Sequence, residues 1–281
     1  MKTWKKIVLG VSLISLFLGG GLVAWGYSQG GLTDLQNKTI SEQDYVKKEV
    51  EDFYKIDIKS SSYNVLIKNG DVDKATLSYY QKTKNPIDTS VKDGQLTIND
   101  NNSELDSTSN KHINFFGLKD LVRLSTLNKE VRNKTIVITL PKKQTIDFLK
   151  VDLATGNLDL SNSTIKQADI NLNVGDLTFT KMIVSNLKAN LDVGSVDSDH
   201  TLFTNSDLSI AMGDYSGDNL IFNGHNKLDV TSGDIEIVLK DYTLNVQADS
   251  HSGEVDITNN LKISKDNTLT ITSDLGDITV E

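Results

Sequence analysis

The sequence predicts an all-β protein: a single-stranded β-helix, or β-solenoid, with coils of about 19–20 residues, preceded by one N-terminal transmembrane helix and containing a short amphipathic helical insertion. The first observation is a glycine that recurs every 19 or 20 residues and once after a slightly longer step, at Gly156, Gly175, Gly194, Gly213, Gly233, Gly253 and Gly276. The second is that the positions three before and two after these glycines are apolar in most repeats, while their neighbours are polar. Such a period is typical of stacked units that bury their apolar faces only against one another.

A third column, nine residues after the glycine, is also apolar and holds Ile165, Val184, Phe203, Phe222 and Tyr242. A β-helix produces such columns because each coil pairs with the next at about 4.8 Å and similar side chains stack inside. We interpret the glycines as structural turn residues, because a sharp corner between strands requires a positive φ that glycine adopts at little cost.

The transmembrane helix is predicted over residues 7–27, which carry no charge and are long enough to cross about 30 Å of hydrocarbon. Three lysines lie in residues 1–6, so the positive-inside rule predicts a cytoplasmic tail and an extracellular C-terminal domain. A cleaved signal peptide is the alternative, but Ala24 and Gly26 form a poor cleavage site and the apolar run is long for a signal. We therefore expect a single-pass protein of the cell membrane.

Beyond this helix we predict a juxtamembrane stalk at residues 28–52 and a β-solenoid domain at residues 53–281. Residues 53–102 alternate in polarity as half-buried strands do, and residues 134–281 carry the glycine-marked repeats. Between them, residues 103–133 have apolar side chains near helical spacing. This insertion either contacts the membrane or covers the first coil as a lid, and we favour the lid because a solenoid end exposes strand edges. Its candidate contact residues are Phe115, Phe116, Leu118, Leu121 and Arg123.

Charge is distributed unevenly along the 281 residues. Residues 1–150 contain 22 Lys and Arg against 17 Asp and Glu, a net charge of +5, whereas residues 151–281 contain 7 Lys, no Arg and 21 Asp and Glu, a net charge of −14. An acidic body repels nucleic acid, so we expect no nucleic-acid partner and instead a cationic peptide or a basic protein face. The chain has no cysteine, which excludes disulfides and a thiol nucleophile.

The chain resembles a known family, the bacterial β-strand-repeat proteins of unknown function often labelled "putative adhesins" and common in Gram-positive envelopes. The resemblance covers most of residues 50–281 and rests on the segments 53–99 and 135–141 and on the repeated Gly-Asp-hydrophobic phrases. It implies a β-strand-repeat fold and, through relatives tied to envelope stress and antimicrobial-peptide responses, a role at the cell surface. The family implies no catalytic residues.

The candidate binding site is an acidic column one residue after the glycines, formed in the last four repeats by Asp214, Asp234, Glu254 and Asp277. Carboxylates stacked about 4.8 Å apart repel one another by roughly 1 kcal/mol in water, and a cationic partner would relieve that repulsion. The alternative is that Asp is simply a good turn residue. Calcium is a weaker alternative, because the β-helix calcium repeat is absent, and we expect no cofactor.

We expect no enzyme, since the four histidines do not share a face and the repeats lack the arginine that polysaccharide-cleaving β-helices use. The predicted function is a membrane-anchored extracellular binding module of the cell envelope. A passive adhesive or structural spacer is the alternative, and a glycan-active enzyme comes third. The sequence ends on a strand at Asp277–Glu281, so we expect this last coil to be an uncovered edge that another chain could pair with.

Overall fold

The computed structural model describes residues 43–82, 86–100 and 134–281. These residues form strands, turns and bends, and no helix among them could serve as a membrane span. The predicted helix 7–27 and insertion 103–133, with its five candidate contact residues, lie outside the described residues. Residues 44–281 form one compact unit.

The strands of the first half are β1 (Gln43–Glu49), β2 (Lys55–Ser60), β3 (Asn64–Gly70), β4 (Thr76–Lys82), β5 (Asp88–Lys92), β6 (Gln95–Asn99), β7 (Thr135–Pro141), β8 (Thr145–Ile146), β9 (Phe148–Leu153), β10 (Leu158–Ser161), β11 (Thr164–Ile165) and β12 (Ala168–Val174). Those of the second half are β13 (Leu177–Thr180), β14 (Ile183–Ser185), β15 (Leu187–Val193), β16 (Val196–Asp199), β17 (Leu202–Thr204), β18 (Asp207–Met212), β19 (Tyr215–Asn223), β20 (His225–Ser232), β21 (Ile235–Leu239), β22 (Asn245–Ser252), β23 (Val255–Ile257), β24 (Thr268–Leu275) and β25 (Ile278–Val280).

Each central coil contributes one strand to each of three parallel sheets, so the predicted solenoid is confirmed and is three-sided. Sheet I contains β9, β12, β15, β18 and β20; sheet II contains β10, β13, β16, the first part of β19 and β21; sheet III contains β8, β11, β14, β17 and the end of β19. The glycine corner joins sheet I to sheet II, a second corner joins sheet II to sheet III, and a third returns the chain to sheet I. The stacking register advances by 19 residues, as in Leu153–Leu172–Leu191.

The three predicted apolar columns face the interior. In the column of sheet III, Phe179 of the preceding strand packs edge-on against Phe203 with ring centroids 5.3 Å apart, and Phe203 stacks on Phe222 at 5.8 Å. These rings are 0–6 % exposed, whereas Tyr242 is only half-buried. The core is therefore a continuous stack that no coil could form alone, since each coil supplies one layer.

The outward face of sheet I carries a column of alternating charge. Its members face one another in register across consecutive strands, in the order Asp57, Lys150, Asp169, Lys188, Asp207 and Lys227. A slip by one whole coil would place like charges opposite each other, which is unfavourable between neighbouring strands. This column therefore favours the observed order of coils over a shifted one.

At the N-terminal end, the first coil along the chain is not the first in space. Strands β2 and β3 lie between β6 and β7 on one side and β9 and β10 on the other. Antiparallel strands cover the outer coil: β5 pairs with β6 through a turn at Asp93 and Gly94, and β4 pairs with β7. Strand β1 follows β4 in the sheet, so the sheet begins at residue 43, within the segment predicted as stalk.

The C-terminal end repeats this exchange, and it corrects the prediction of an uncovered edge at Asp277–Glu281. Strands β24 and β25 insert between the coil of β20 and β21 and the coil of β22 and β23. Residue Ile278 thus has Ile235 on one side and Val255 on the other. The uncovered coil at this end is 245–257, because the repeat period alone does not decide which repeat stacks last.

Candidate functional site

The glycine corner has two independent requirements for glycine. Six of the seven predicted glycines have φ between +139° and +151°, a region that residues with a side chain rarely adopt, and Gly253 is the exception. In addition, a Cβ built on Gly194 would lie 2.0 Å from the carbonyl oxygen of Gly175 in the coil below. The turn role is therefore confirmed, and the corner is also where neighbouring backbones approach too closely for any side chain.

The residues that follow the glycines form a hydrogen-bonded ladder up this corner. Each side-chain oxygen accepts the backbone N–H of the same position in the next coil. The first steps join Asn64 to Asn157, Asn157 to Asp176, and Asp176 to Ser195, at 2.9–3.0 Å. The later steps join Ser195 to Asp214 at 3.4 Å, Asp214 to Asp234 at 2.9 Å, Asp234 to Asp277 at 2.9 Å and Asp277 to Glu254 at 2.8 Å.

The four predicted acidic residues are contiguous and exposed, but their order in space is Asp214, Asp234, Asp277 and Glu254. We call them the acidic edge. Three of them use Oδ1 as an acceptor within the ladder, so the turn role and a role in binding are compatible: the second carboxylate oxygen is not needed for the ladder. At about 4.8 Å per coil, the edge presents four negative charges along roughly 14 Å.

Polar groups of the same corner become more buried toward the middle of the solenoid. Burial raises the pKa of Asp176, and the hydrogen bond from the Ser195 N–H opposes that shift. The exposed charge of this corner therefore lies mainly on the acidic edge, near the C-terminal end.

The sequence gave no sign of a buried carboxylate at Asp159, on the outward side of sheet II. This side chain belongs to a residue that is 2 % exposed, and burial raises its pKa to about 7, with nearby Asp176 and Asp197 acting in the same direction and a hydrogen bond with Thr178 opposing them. Its Oδ2 atom has no hydrogen-bond partner among the described residues. An aspartate in a strand of the acidic half looks like any solvated one, so no sequence signal could have singled it out.

The acidic edge does not gather into a metal site. Within the described residues, the one group of three or more metal-ligating side chains with close ligand atoms is Asp199, His200 and Asp218, at the second corner, where all ligand atoms lie within 4.8 Å. There His200 Nδ1 lies 2.6 Å from Asp199 Oδ1, and Asp218 Oδ2 accepts a hydrogen bond from Asn219. Calcium at the edge stays a prediction, and one oxygen per coil is a poor match for the six to eight that calcium prefers.

The second and third corners were not recognised in the sequence. At the second, Asn162, Lys181, His200 and Asn219 occupy successive coils with φ between +49° and +55°; at the third, Asn186, Asn205 and Gly224 do so with φ between +48° and +65°. Asparagine adopts this left-handed region more readily than most residues, but lysine and histidine do not announce it. A 19-residue spacing of Asn would have been the available signal.

Comparison with known proteins identifies the fold and leaves the activity open. No curated protein matches the chain. Similar solved structures include a putative cell adhesion protein from Clostridium sporogenes, at 15% identity with 85% of this chain and 99% of that chain covered and a TM-score of 0.31. A putative adhesin from Bacteroides fragilis has 15% identity, coverages of 85% and 97%, and a TM-score of 0.36. A putative lipid binding protein from Parabacteroides distasonis has 11% identity, coverages of 86% and 98%, and a TM-score of 0.36.

The family model Toastrack DUF4097 matches residues 53–281, a span that starts just before β2 and includes every glycine-marked repeat. This match covers the larger part of the chain, and the chain belongs to the Toastrack DUF4097 family.

Proposed function

We propose that this protein is a binding module of the bacterial cell envelope, held at the outer face of the membrane by residues 7–27, and that it acts by binding rather than by catalysis. Its ligand is a cationic peptide or the basic face of another protein. The single observation that supports this proposal best is the acidic edge, with four exposed carboxylates stacked in one line on a rigid corner.

The rigidity of the edge matters for affinity. Each aspartate that accepts an N–H from the next coil has its rotamer restricted before any ligand arrives, so less side-chain entropy is lost on binding. A peptide with several lysines can then contact successive carboxylates, and the interactions add through multivalency. A role in response to cationic antimicrobial peptides would follow from this chemistry.

The test uses full-length protein in nanodiscs of neutral phosphatidylcholine and a decalysine peptide as the probe. The variant D214N/D234N/D277N retains an acceptor oxygen at each position but removes three charges. Its matched control, D169N/D192N/D249N, removes three carboxylates from the outward face of sheet I. We expect binding of decalysine to weaken as salt rises, and to weaken much more in the edge variant than in the control.

Equal loss in both variants would mean that total charge, and not the edge, attracts the peptide. Unchanged binding in both would reject the proposed site. A change in thermal melting of the edge variant would show that the ladder itself was damaged, and the charge-reversed probe decaglutamate then serves as the specificity check, because a damaged fold does not invert charge preference.

A second candidate function, a structural spacer that assembles end to end, is favoured by the open C-terminal coil. Strands β22 and β23 each pair with a neighbour on one side only among the described residues. Apolar side chains stand at this end, including Val255, which is 38 % exposed, and Ile263, which is 85 % exposed. Because the N-terminal end is covered by antiparallel strands, pairing between two C-terminal ends is the arrangement this candidate requires.

The absence of cysteine from the sequence allows a direct test of that assembly. A cysteine at Ala248, in the middle of the open strand β22, would crosslink to its counterpart in a second full-length molecule at the membrane. A cysteine at Thr231, exposed on the inner strand β20, is the control. Selective crosslinking at position 248 would support the spacer, and equal crosslinking at both positions would reject it.

A further inference from the structure

Sheet III presents a different surface from the rest of the acidic solenoid. In its outward column, Ile183, Leu202 and Ile221 face solvent in register on consecutive coils, and Lys240 continues the column through the hydrogen bond from its N–H to the Leu220 carbonyl. Ile183 is 48 % exposed, and the other two aliphatic side chains are half-buried. Outward positions of a solvated strand are usually polar, so three aliphatic residues in one column call for an explanation.

This column forms one wall of a groove, and the second corner forms the other. The groove holds about 160 Å³ and runs along the solenoid axis, with Lys181, His200 and Asn219 on the corner side and the buried residues Met182 and Thr201 in its floor. Its long direction crosses the strands, so at about 4.8 Å per coil the aliphatic wall extends for roughly 10 Å. A slot of this shape admits a single extended chain more readily than a flat ring.

The charge of the groove is opposite to that of the acidic half of the chain. Two lysines, Lys181 and Lys240, line it, and no carboxylate does. The nearest acids lie on the sheet II side of the corner, where Asp199 pairs with His200 and Asp218 accepts a hydrogen bond from Asn219. At physiological salt the screening length is about 8 Å, so the distant acidic edge does not cancel this local field.

We propose that this groove binds a free anionic amphiphile with one alkyl chain, of the fatty-acid class. The alkyl chain lies along Ile183, Leu202 and Ile221, and the carboxylate is held by the ammonium group of Lys181 or Lys240. Apolar burial supplies affinity, and the lysines select an anion. A cationic amphiphile lacks a partner for its head group, and a neutral alcohol gains only the apolar part. This site is separate from the acidic edge and does not depend on the function proposed for it.

The test is photolabelling of full-length protein in nanodiscs of neutral phosphatidylcholine with a decanoate analogue that carries a diazirine on its chain. Labelled peptides are mapped by mass spectrometry. We expect the label to concentrate on the segments 181–185, 200–204 and 219–223, and to be displaced by decanoate at several-fold lower concentration than by decanol or decyltrimethylammonium.

Two variants and one matched control test the contacts. Each of Lys181→Gln and Lys240→Gln is expected to reduce the apparent affinity by up to about fivefold, the range of an exposed ion pair. Leu202→Asn places an amide in the middle of the aliphatic wall and is expected to abolish selective labelling. Lys188→Gln, the same change on sheet I, should leave labelling unchanged. The unlabelled peptides of each variant are compared with wild type, so a folding defect is recognised as a general change in labelling.

Label spread evenly over the three sheets would overturn the proposal. So would equal displacement by the cationic amphiphile, since that would leave no role for the lysines. Labelling that requires anionic phospholipid in the nanodisc would also overturn it, because the occupant would then be a membrane surface and not a free chain.

Discussion

The backbone N–H of Asp277 donates to Asp234 Oδ1 at 2.9 Å, although the two residues are 43 positions apart. The intervening repeat, with Glu254, stacks on the far side of Asp277. The final strands of the described chain are therefore held between two earlier coils, and the same arrangement holds β2 and β3 at the other end. At both ends, the segment that would be the first to fray has neighbours on both sides.

This arrangement predicts an unusual effect of truncation. In a solenoid whose coils stack in chain order, removal of the last coil exposes only the coil before it. Removal of residues 268–281 here should also release residues 245–257, because β22 and β23 have no other sheet partner among the described residues. Amide hydrogen exchange should show loss of protection at 245–257 with retained protection at 168–212. Retained protection at 245–257 would contradict the inserted order.

Glycine at the corner should resist even the smallest substitution. Gly194→Ala is expected to lower the free energy of unfolding by more than about 2 kcal/mol, because φ is +147° and the new Cβ would meet the Gly175 carbonyl. Gly217→Ala is the control, since its Cβ would meet the end of the Leu220 side chain, which can move, at 2.4 Å. Denaturant unfolding measures both, and a larger loss for the control would show that backbone approach is not the main constraint.

These relations also show what the sequence could and could not predict. The glycines and apolar columns were predictable because both recur at the coil period and each is required locally. The position of Gly276 between Gly233 and Gly253 was not, since either stacking order satisfies a 19- or 20-residue period. Lys181 and His200 mark the second corner by their backbone alone, with φ of +54° and +49°. The groove of sheet III was missed because its wall residues come from separate coils.

Asp159 should make stability depend on pH in the direction opposite to a typical carboxylate. Its folded pKa is about 7, above the ordinary value of 3.8, so the folded protein holds a proton that the unfolded chain releases between these values. Stability from this group is therefore greatest at acid pH and falls as pH rises toward 7. Asp159→Asn, compared with wild type by denaturant unfolding at several pH values, should remove this contribution and gain relative stability as pH rises.

The exposed Asp192→Asn is the control for that experiment, because it removes a carboxylate without removing a buried charge. A difference between Asp159→Asn and wild type that stays constant from about pH 4 to pH 8 would mean that Asp159 does not hold a proton in this range.

The ladder at the glycine corner should distinguish a structural aspartate from a charged one at a single position. Asp234 accepts the N–H of Asp277 through Oδ1, and its own N–H donates to Asp214 Oδ1. Asp234→Ala leaves the Asp277 N–H without its acceptor and should cost about 1 kcal/mol, as loss of a comparable side-chain cap does. Asp234→Asn keeps the amide oxygen in place and should cost little, since Asn64 and Asn157 already make this bond in the same column. Thermal unfolding of the two variants measures the difference, and equal stability of the alanine and asparagine variants would mean that the ladder does not stabilise the corner.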